Sequence, residues 1–231
     1  MFNPYLEFQA PPYRLSGLVV GPLLNHAAAL AALGGVVHEA PYKAPPKGPI
    51  LYIKPRNTLA ADGASVAVPS PYRELEIGAS LGLVIGRIAC RVSEREALGH
   101  VSGYTLVADL SVPHDSFYRP SIRFKALDDS CLVGPRVVSR AALGNPDDVA
   151  LRILVDGVQT QATSTRGMVR PAAQLVADVS NFMTLRPGDV LMLGIAHGAP
   201  RARSGQSFAI EAEGVGRLGG RLIDDNDGGL A

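Results

Sequence analysis

Glycine and proline interrupt this chain so often that a bundle of long helices is excluded. The 231 residues include 25 glycines and 18 prolines, and both residue types favour turns and end helices. Between these turns lie short apolar segments that are typical of β-strands. The segments of this kind are ILYIKP, SVAVP, ELEIGASLGLVIG, GYTLVADLS, PRVV, LRILVDGV, DVLMLGIA and SFAIEAEGVGRL. We therefore expect many short strands joined by turns.

Helical patterns are few and short. NHAAALAALGG predicts one helix with Asn25 as its N-cap, and SEREALGHV and PAAQLVADVSNFMTL predict two more. The proline-rich loop YKAPPKGP separates the first of these from the strand-rich remainder. The pattern predicts a β-rich α+β fold with two parts. Residues 1–49 would form a small N-terminal extension that could cover a site, and residues 50–231 would form the main domain.

The composition excludes several classes of partner. Lys and Arg number 22 against 21 Asp and Glu, and a net charge of +1 argues against nucleic-acid binding. No apolar run approaches the roughly 20 residues of a membrane helix, and MFNPYLEFQAPPYR lacks the pattern of a signal peptide. The two cysteines, Cys90 and Cys131, lie in apolar surroundings and are expected to be buried, reduced thiols. We expect a cytoplasmic protein without a membrane partner.

Three acidic residues are candidates for metal binding. Glu74 and Glu76 alternate along a predicted strand, so both side chains lie on one face while Leu75 points into the opposite layer. Oxygen ligands of this kind suit a hard divalent ion, although solvated strand faces often carry such pairs. Asp109 ends the apolar strand GYTLVAD, where a buried charge needs compensation. A turn-initiating role for Asp109 remains an alternative.

Cations follow the predicted strands in two places. Lys54 lies in YIKPRNT, and Arg119, Arg123 and Lys125 lie in SFYRPSIRFKALDDSCLVGP. They could bind an anionic ligand chelated to a metal, or they could form a solvated rim. The five histidines show no HxH or HExxH spacing, and the chain has no GxxxxGK[ST] loop. GASLG at 78–82 has the GxSxG spacing and GVGRLG at 214–219 has the GxGxxG spacing, but neither lies between a predicted strand and a predicted helix, as an active-site elbow or a dinucleotide fingerprint requires. The residues alone therefore do not point to a histidine-bound metal, a serine hydrolase or a nucleotide site.

Several of these segments resemble a known family. ELEIGASLGLVIG, GYTLVADLS, KALDDSCLVGP and LRPGDVLMLG are similar to blocks of the fumarylacetoacetate hydrolase superfamily, in one register from about Ile50 onward. YKAPPKGPILYIKPRNT, SVPHDSFYRPSIRFK and GAPRARSGQ resemble its isomerase/decarboxylase branch of 4-hydroxyphenylacetate degradation, in the N-terminal-subunit form. The resemblance implies a β-rich mixed sandwich or roll. It also implies decarboxylation, isomerisation or both, of 5-oxopent-3-ene-1,2,5-tricarboxylate or 2-hydroxyhepta-2,4-dienedioate.

The resemblance also implies roles for individual residues. Glu74, Glu76 and Asp109 match the family's metal ligands, which commonly hold Mg²⁺, with Mn²⁺ or Ca²⁺ as alternatives. Lys125 and Asp128 match the family's K-x-x-D block and are the predicted catalytic residues. The complete metal triad argues against an inactive paralogue.

Five further residues are predicted to bind substrate. Lys54 matches the lysine of the family's KP segment, and Gln161 and Ser164 match a loop close to the substrate. Arg119 and Arg123 are candidates from their local chemistry, because arginine binds carboxylates well. The predicted ligand is a small polycarboxylate.

The sequence departs from the family pattern in two places. Family hydrolases carry a His and, three residues later, a Glu in an early helix, where this chain has Ala29 and Ala32. The family's GTP turn reads Gly194-Ile195-Ala196 here. Loss of the water-activating pair favours decarboxylation or isomerisation over hydrolysis. An acylpyruvate-type hydrolase and a non-catalytic partner subunit remain alternatives, and we expect a homodimer or a heteromer with a paralogous chain.

Overall fold

The computed structural model describes residues 17–114 and 122–225, and within them the chain forms two packed β-sheets. The strands are β1 (Val19–Leu23), β2 (Ile50–Lys54), β3 (Leu59–Ala60), β4 (Ser65–Val68), β5 (Glu74–Ile85), β6 (Val101–Ser111), β7 (Cys131–Ser139), β8 (Ala150–Val155), β9 (Val158–Ser164), β10 (Val190–Met192), β11 (Arg201–Arg203), β12 (Ser207–Ala212) and β13 (Gly216–Asp224). The α-helices are α1 (Ala27–Ala31), α2 (Glu94–Ala97), α3 (Ile122–Lys125), α4 (Arg140–Leu143) and α5 (Ala172–Ser180). Short 3₁₀ helices cover Gly34–His38, Arg56–Thr58 and Leu98–His100. The β-rich α+β class predicted from the sequence is confirmed.

The larger sheet is mixed and carries the candidate site. Its strand order is β2-β1-β10-β5-β6-β7-β3, and β11 also pairs with β5. The smaller sheet has the order β4-β13-β12-β8-β9. Contacts of β12 and β13 with β6, and of β8 with β5, pack the smaller sheet against one face of the larger one. The opposite face of the larger sheet is therefore the one that can hold a site.

Strand β5 shows how the alternating sequence produces these two faces. Leu75, Ile77 and Leu81 are fully buried in the core shared by the two sheets. Glu74 and Glu76 lie on the opposite face and are partly exposed. This arrangement confirms the prediction that the two glutamates share a face, because successive side chains of a strand point to opposite sides.

The first described residues belong to the larger sheet. Strand β1 lies between β2 and β10, antiparallel to β2 and parallel to β10. The segment predicted as an extension thus supplies an interior strand, and the boundary between residues 49 and 50 stays a prediction.

Helix α1 begins one residue later than its sequence predicts. Its N-cap is His26, whose Nδ1 accepts from the Ala28 amide at 3.3 Å, so the assignment of Asn25 as N-cap is wrong. The buried Asn25 amide instead donates to the carbonyls of Leu193 at 2.7 Å and Arg170 at 3.0 Å. Asn25 therefore ties the start of α1 to the residue after β10 and to the segment before α5, because a buried amide must find such partners.

The remaining helices are short. Helix α5, predicted from PAAQLVADVSNFMTL, packs against α2 and buries Leu175, Val176 and Val179. Over the parts of the chain that the structure covers, no helix combines the length and the apolar character that crossing a bilayer requires.

Candidate active site

A cavity of about 470 Å³ opens on the face of the larger sheet that carries the glutamates. Asp109 and Lys125 contribute its charged floor, and Glu76 and Arg201 contribute its charged edge. The opposite wall is apolar and comes from the segment around α1. The apolar residues of that wall are Pro22, Leu23, Leu24, Ala29, Ala32 and Leu33. The cavity therefore suits a ligand that has both charged groups and an apolar body.

Asp109 is the centre of a buried polar cluster. Its Oδ2 atom accepts from the Tyr52 hydroxyl at 2.5 Å and from Lys125 Nζ at 2.9 Å. Its Oδ1 atom lies 2.9 Å from Lys54 Nζ in an ion pair and has no hydrogen-bond partner. Asp109 and Lys54 are fully buried, whereas 11% of the Lys125 side chain is exposed. Lys125 is thus the ammonium group that a ligand can reach.

Lys54 connects separate parts of the chain. Besides facing Asp109, its Nζ donates to the Lys125 carbonyl and to Ser130 Oγ at 3.1 Å. These contacts join β2 to the end of α3 and to the residue before β7. Lys54 does not line the cavity, so the geometry places it in support of Asp109 and Lys125.

The protonation states in this cluster follow from its charges. Burial would raise the pKa of Asp109, but the ammonium groups of Lys125 and Lys54 and the Tyr52 hydroxyl hold that pKa well below its ordinary value. Burial and the neighbouring Asp109 carboxylate raise the pKa of Tyr52 well above its ordinary value. At neutral pH, Asp109 is therefore an anion and Tyr52 a neutral hydrogen-bond donor.

Cys131 lies directly across from Asp109 in the pairing of β6 with β7 and is fully buried. Burial raises the pKa of its thiol to about 12, and the Asp109 carboxylate adds to this effect while the two lysines oppose it. Cys90 is exposed, so the sequence prediction of two buried thiols is wrong for Cys90.

We expect the two thiols to differ in reactivity. A thiol-specific reagent such as Ellman's reagent should titrate one thiol in the native protein at pH 8, because the thiolate is the reactive form. A second thiol should appear only after denaturation. Rapid reaction of both thiols in the native protein would contradict the burial of Cys131.

The two glutamates are paired with an arginine from β11. Arg201 Nη1 donates to Glu74 Oε1 at 3.0 Å, and Nη2 donates to Glu76 Oε1 at 3.5 Å. The hydrogen bond to Glu74 raises the pKa of Arg201 above its ordinary value. Arg203 is more distant, with its Nε 3.8 Å from Glu74 Oε2. The acidic pair predicted from sequence is thus present and already neutralised by a cation.

The chemistry of these residues fits the divalent ion that the family resemblance implies. Within residues 17–114 and 122–225, no three acidic, histidine or cysteine side chains converge into a ready metal site. Two observations nevertheless favour a cation here. A positive guanidinium already contacts both Glu74 and Glu76, and the cavity-lining Asp109 keeps an oxygen without a hydrogen bond. All three carboxylates lie on one face of the sheet and offer the hard oxygen ligands that Mg²⁺ and Mn²⁺ prefer.

The departures from the family pattern also lie in this cavity. Ala29 and Ala32 line it with methyl groups, and so does Ile195. The Ile195 side chain fits because residue 78 is glycine: a Cβ there would lie 2.6 Å from Ile195 Cδ1 and 2.8 Å from the Asp109 carbonyl oxygen. This part of the cavity is shaped by apolar packing.

Other predicted site residues lie away from the cavity. Asp128 is exposed, and its Oδ1 accepts from the Asn57 amide at 2.6 Å. Arg123 is exposed with its guanidinium 5.2 Å from the centre of the Phe124 ring. Arg119 lies outside the described residues. The structure therefore does not bring Asp128 or Arg123 to Lys125 Nζ, and their predicted roles stay predictions.

Two predicted residues lie on β9. Gln161 donates through Nε2 to the carbonyls of His197 and Gly198, each at 3.0 Å, and both of these residues line the cavity. Ser164 Oγ accepts from the Arg166 amide at 3.0 Å and does not line the cavity. Gln161 therefore holds a cavity loop from behind, while Ser164 shapes a local turn.

Tyr52 and Arg201 belong to the site but were not among the predicted residues. Tyr52 lies two positions before Lys54 on β2, so the alternation of a strand could have placed both on one face. Arg201 meets Glu76 only because β11 pairs with β5 from a distant part of the chain. No local sequence signal predicts that pairing.

Comparison with known proteins agrees with this fold. The 4-hydroxyphenylacetate degradation bifunctional isomerase/decarboxylase of Escherichia coli is 34% identical over 92% of the chain. That match covers 48% of the relative, so the chain spans about half the length of the curated relatives it matches.

Two solved structures have the same fold. The 5-carboxymethyl-2-hydroxymuconate delta-isomerase from Mycobacterium smegmatis superposes with a TM-score of 0.75 at 27% identity, covering 91% of this chain and 80% of that one. The fumarylpyruvate hydrolase from Pseudomonas aeruginosa, solved with Mn²⁺ and pyruvate, gives a TM-score of 0.75 at 24% identity over 90% of each chain. The predicted sandwich-type fold is confirmed. The family described as fumarylacetoacetate (FAA) hydrolase C-terminal matches residues 19–223, and the chain therefore belongs to the fumarylacetoacetate hydrolase family.

Proposed function

We propose that this chain decarboxylates or isomerises an open-chain polycarboxylate formed by ring cleavage of an aromatic compound. The proposed substrates are 5-oxopent-3-ene-1,2,5-tricarboxylate and 2-hydroxyhepta-2,4-dienedioate. The observation that carries the proposal is the reachable ammonium of Lys125, fixed by Asp109 on the floor of a cavity with an apolar wall. The names of the relatives support the reaction class.

The cavity offers complementary groups for such a substrate. Lys125 at the floor and Arg201 at the edge provide positive charge for carboxylates, and arginine can bind a carboxylate through two parallel hydrogen bonds. Leu24, Leu33 and Ile195 provide apolar surface for the unsaturated carbon chain. A substrate with charge at both ends and an apolar middle would therefore be held in one orientation.

Lys125 is the proposed catalytic residue. Loss of CO₂ leaves the electron pair of the broken C–C bond on an enolate. Isomerisation would form the same kind of enolate by transfer of a substrate proton to the uncharged amine of Lys125, which thereby becomes an ammonium. A positive ammonium beside the enolate oxygen stabilises this charge, and an N–H can deliver the proton that completes the reaction. Asp109 holds the Lys125 ammonium in place through its Oδ2 atom. Tyr52 contacts the same oxygen and Lys54 contacts Oδ1, so together they fix the Asp109 carboxylate.

We propose Mg²⁺ or Mn²⁺, with Ca²⁺ as an alternative, as the cofactor, held by Glu74, Glu76 and Asp109. When bound, such an ion supplies Lewis-acid polarisation of the 2-oxo acid end of the substrate. We expect EDTA to lower turnover by about 100-fold or more and added Mg²⁺ or Mn²⁺ to restore it. An activity that survives complete removal of metal would contradict the cofactor proposal.

Hydrolysis has less support from the cavity. It requires a group that activates water, and Ala29 and Ala32 place methyl groups where family hydrolases have a His and a Glu. Decarboxylation and isomerisation need no activated water. The assay that separates these reactions scores CO₂ release, diene absorbance and C–C cleavage products in parallel on both proposed substrates. Cleavage products without the other two signals would make the chain a hydrolase.

The assembly and the compartment of the protein stay predictions. A homodimer, or a heteromer with a paralogous chain, follows from the family resemblance, and light scattering of the purified protein measures it directly. An assembly that forms while no turnover occurs with either substrate would favour the non-catalytic partner subunit.

A further inference from the structure

The backbone of β11 fixes the position of Arg201. In the pairing of β11 with β5, Arg201 lies opposite Glu76 and Ala202 opposite Leu75. Ala202 is fully buried, so its alternation along the strand places Arg201 on the face that carries the glutamates. The Ile77 amide also donates to the Pro200 carbonyl at 2.8 Å, which anchors the start of β11. The contact of Arg201 with the glutamates is thus built into the sheet.

The carboxylates of the site are already matched by cations without a metal. Glu74, Glu76 and Asp109 face the cationic groups of Lys54, Lys125 and Arg201, and Arg203 lies 3.8 Å from Glu74 as a further cation. A divalent ion added to this set would leave excess positive charge beside partly buried groups, which is unfavourable. Arg201 is the cation most able to leave, because 50% of its side chain is exposed whereas the two lysines are buried or nearly so.

We infer that Arg201 competes with the divalent ion for Glu74 and Glu76, so that metal binding and release of the guanidinium are coupled. This inference rests on the proposed function, which places the ion at these carboxylates. The released guanidinium stays at the edge of the cavity that it lines and becomes available to a substrate carboxylate. An anionic substrate also removes the excess positive charge that the ion brings. Metal and substrate would therefore bind with positive coupling, each raising the affinity for the other.

Calorimetric titration of MnCl₂ into metal-free protein tests the inference without measuring activity. We expect Arg201→Gln to bind Mn²⁺ about tenfold more tightly than the wild-type chain, because the competing cation is removed. Arg217→Gln is the matched control, since it removes the same charge from an exposed arginine 3.9 Å from Glu211. Its affinity for Mn²⁺ should stay within about twofold of wild type.

Further variants make the outcomes distinct. Arg201→Lys keeps the charge but loses the paired contact with the two glutamates, so its affinity for Mn²⁺ should lie between those of wild type and Arg201→Gln. If Arg201→Gln does not fold, Arg201→Lys takes its place in the comparison. One outcome would overturn the inference and leave the metal proposal standing. In that outcome, wild type and the Arg201 variants bind Mn²⁺ with equal affinity, and Glu76→Gln abolishes Mn²⁺ binding. Absence of Mn²⁺ binding in every variant would overturn the metal proposal and, with it, the inference.

Discussion

Asp109→Asn is expected to lower the free energy of unfolding by about 3–5 kcal/mol at pH 7. The substitution keeps the shape of the side chain but removes its charge, which leaves the fully buried ammonium of Lys54 without a counter-ion. It also changes the acceptor of the short hydrogen bond from Tyr52. Urea denaturation of the two proteins, followed by circular dichroism, measures the difference.

Asp128→Asn is the matched control for this prediction. It makes the same chemical change at an exposed carboxylate, so its effect should stay within about 0.5 kcal/mol. Equal stability of wild type and Asp109→Asn would contradict the account of the buried cluster.

The Asp109 cluster also predicts a direction for the pH dependence of stability. Because the pKa of Asp109 is lower in the folded protein than in the unfolded chain, its ionised form stabilises the fold. This contribution is fully present above the unfolded pKa of about 3.9 and is lost as the pH falls from there toward the lower folded pKa. The stability difference between wild type and Asp109→Asn should therefore be constant from pH 5 to 7 and shrink below about pH 4.

Lys125→Met is expected to lower turnover by about 100-fold to 10,000-fold, the range for loss of a proton-transferring group. The protein should remain folded, because Asp109 keeps its contacts with Lys54 and Tyr52 and the methionine can occupy the partly exposed position. Steady-state kinetics on the proposed substrates, with thermal unfolding measured in parallel, checks both parts.

Lys54→Met distinguishes a catalytic role from a structural one. Lys54 is fully buried and has three polar partners, so its loss should mainly lower stability. Turnover by Lys125→Met at the wild-type rate would show that the reaction does not use the Lys125 ammonium.

Much of the fold follows from local sequence patterns. Residues Glu74 to Ile85 alternate between core and site faces, and this alternation alone separates Leu75 from the two glutamates. The order of the strands in the larger sheet could not be predicted in this way. Strand β1 lies between β2 and β10 through contacts that no local pattern encodes. Asn25 illustrates the same limit: its residue type fits an N-cap, but the carbonyls of Leu193 and Arg170 bind its side chain instead.

The site was predictable where its residues share a strand face or a local motif. Asp109 and Lys125 were identified from the sequence, and they form an ion pair at 2.9 Å. Arg201 could not be identified, because its role depends on the pairing of β11 with β5. Asp128 was predicted from a motif match; its side chain accepts a hydrogen bond from Asn57, and its role in the site stays a prediction.

The most direct test of the proposed function is an assay of the purified protein on 5-oxopent-3-ene-1,2,5-tricarboxylate with Mg²⁺ present. CO₂ release and ultraviolet absorbance of the diene are followed separately, and the decarboxylated dienoate is assayed in the same way. We expect metal-dependent CO₂ release from the first substrate, an absorbance change without CO₂ from the second, or both. Each signal should be lost in Lys125→Met. No signal from either substrate, in a folded protein that binds Mg²⁺, would contradict the proposed function.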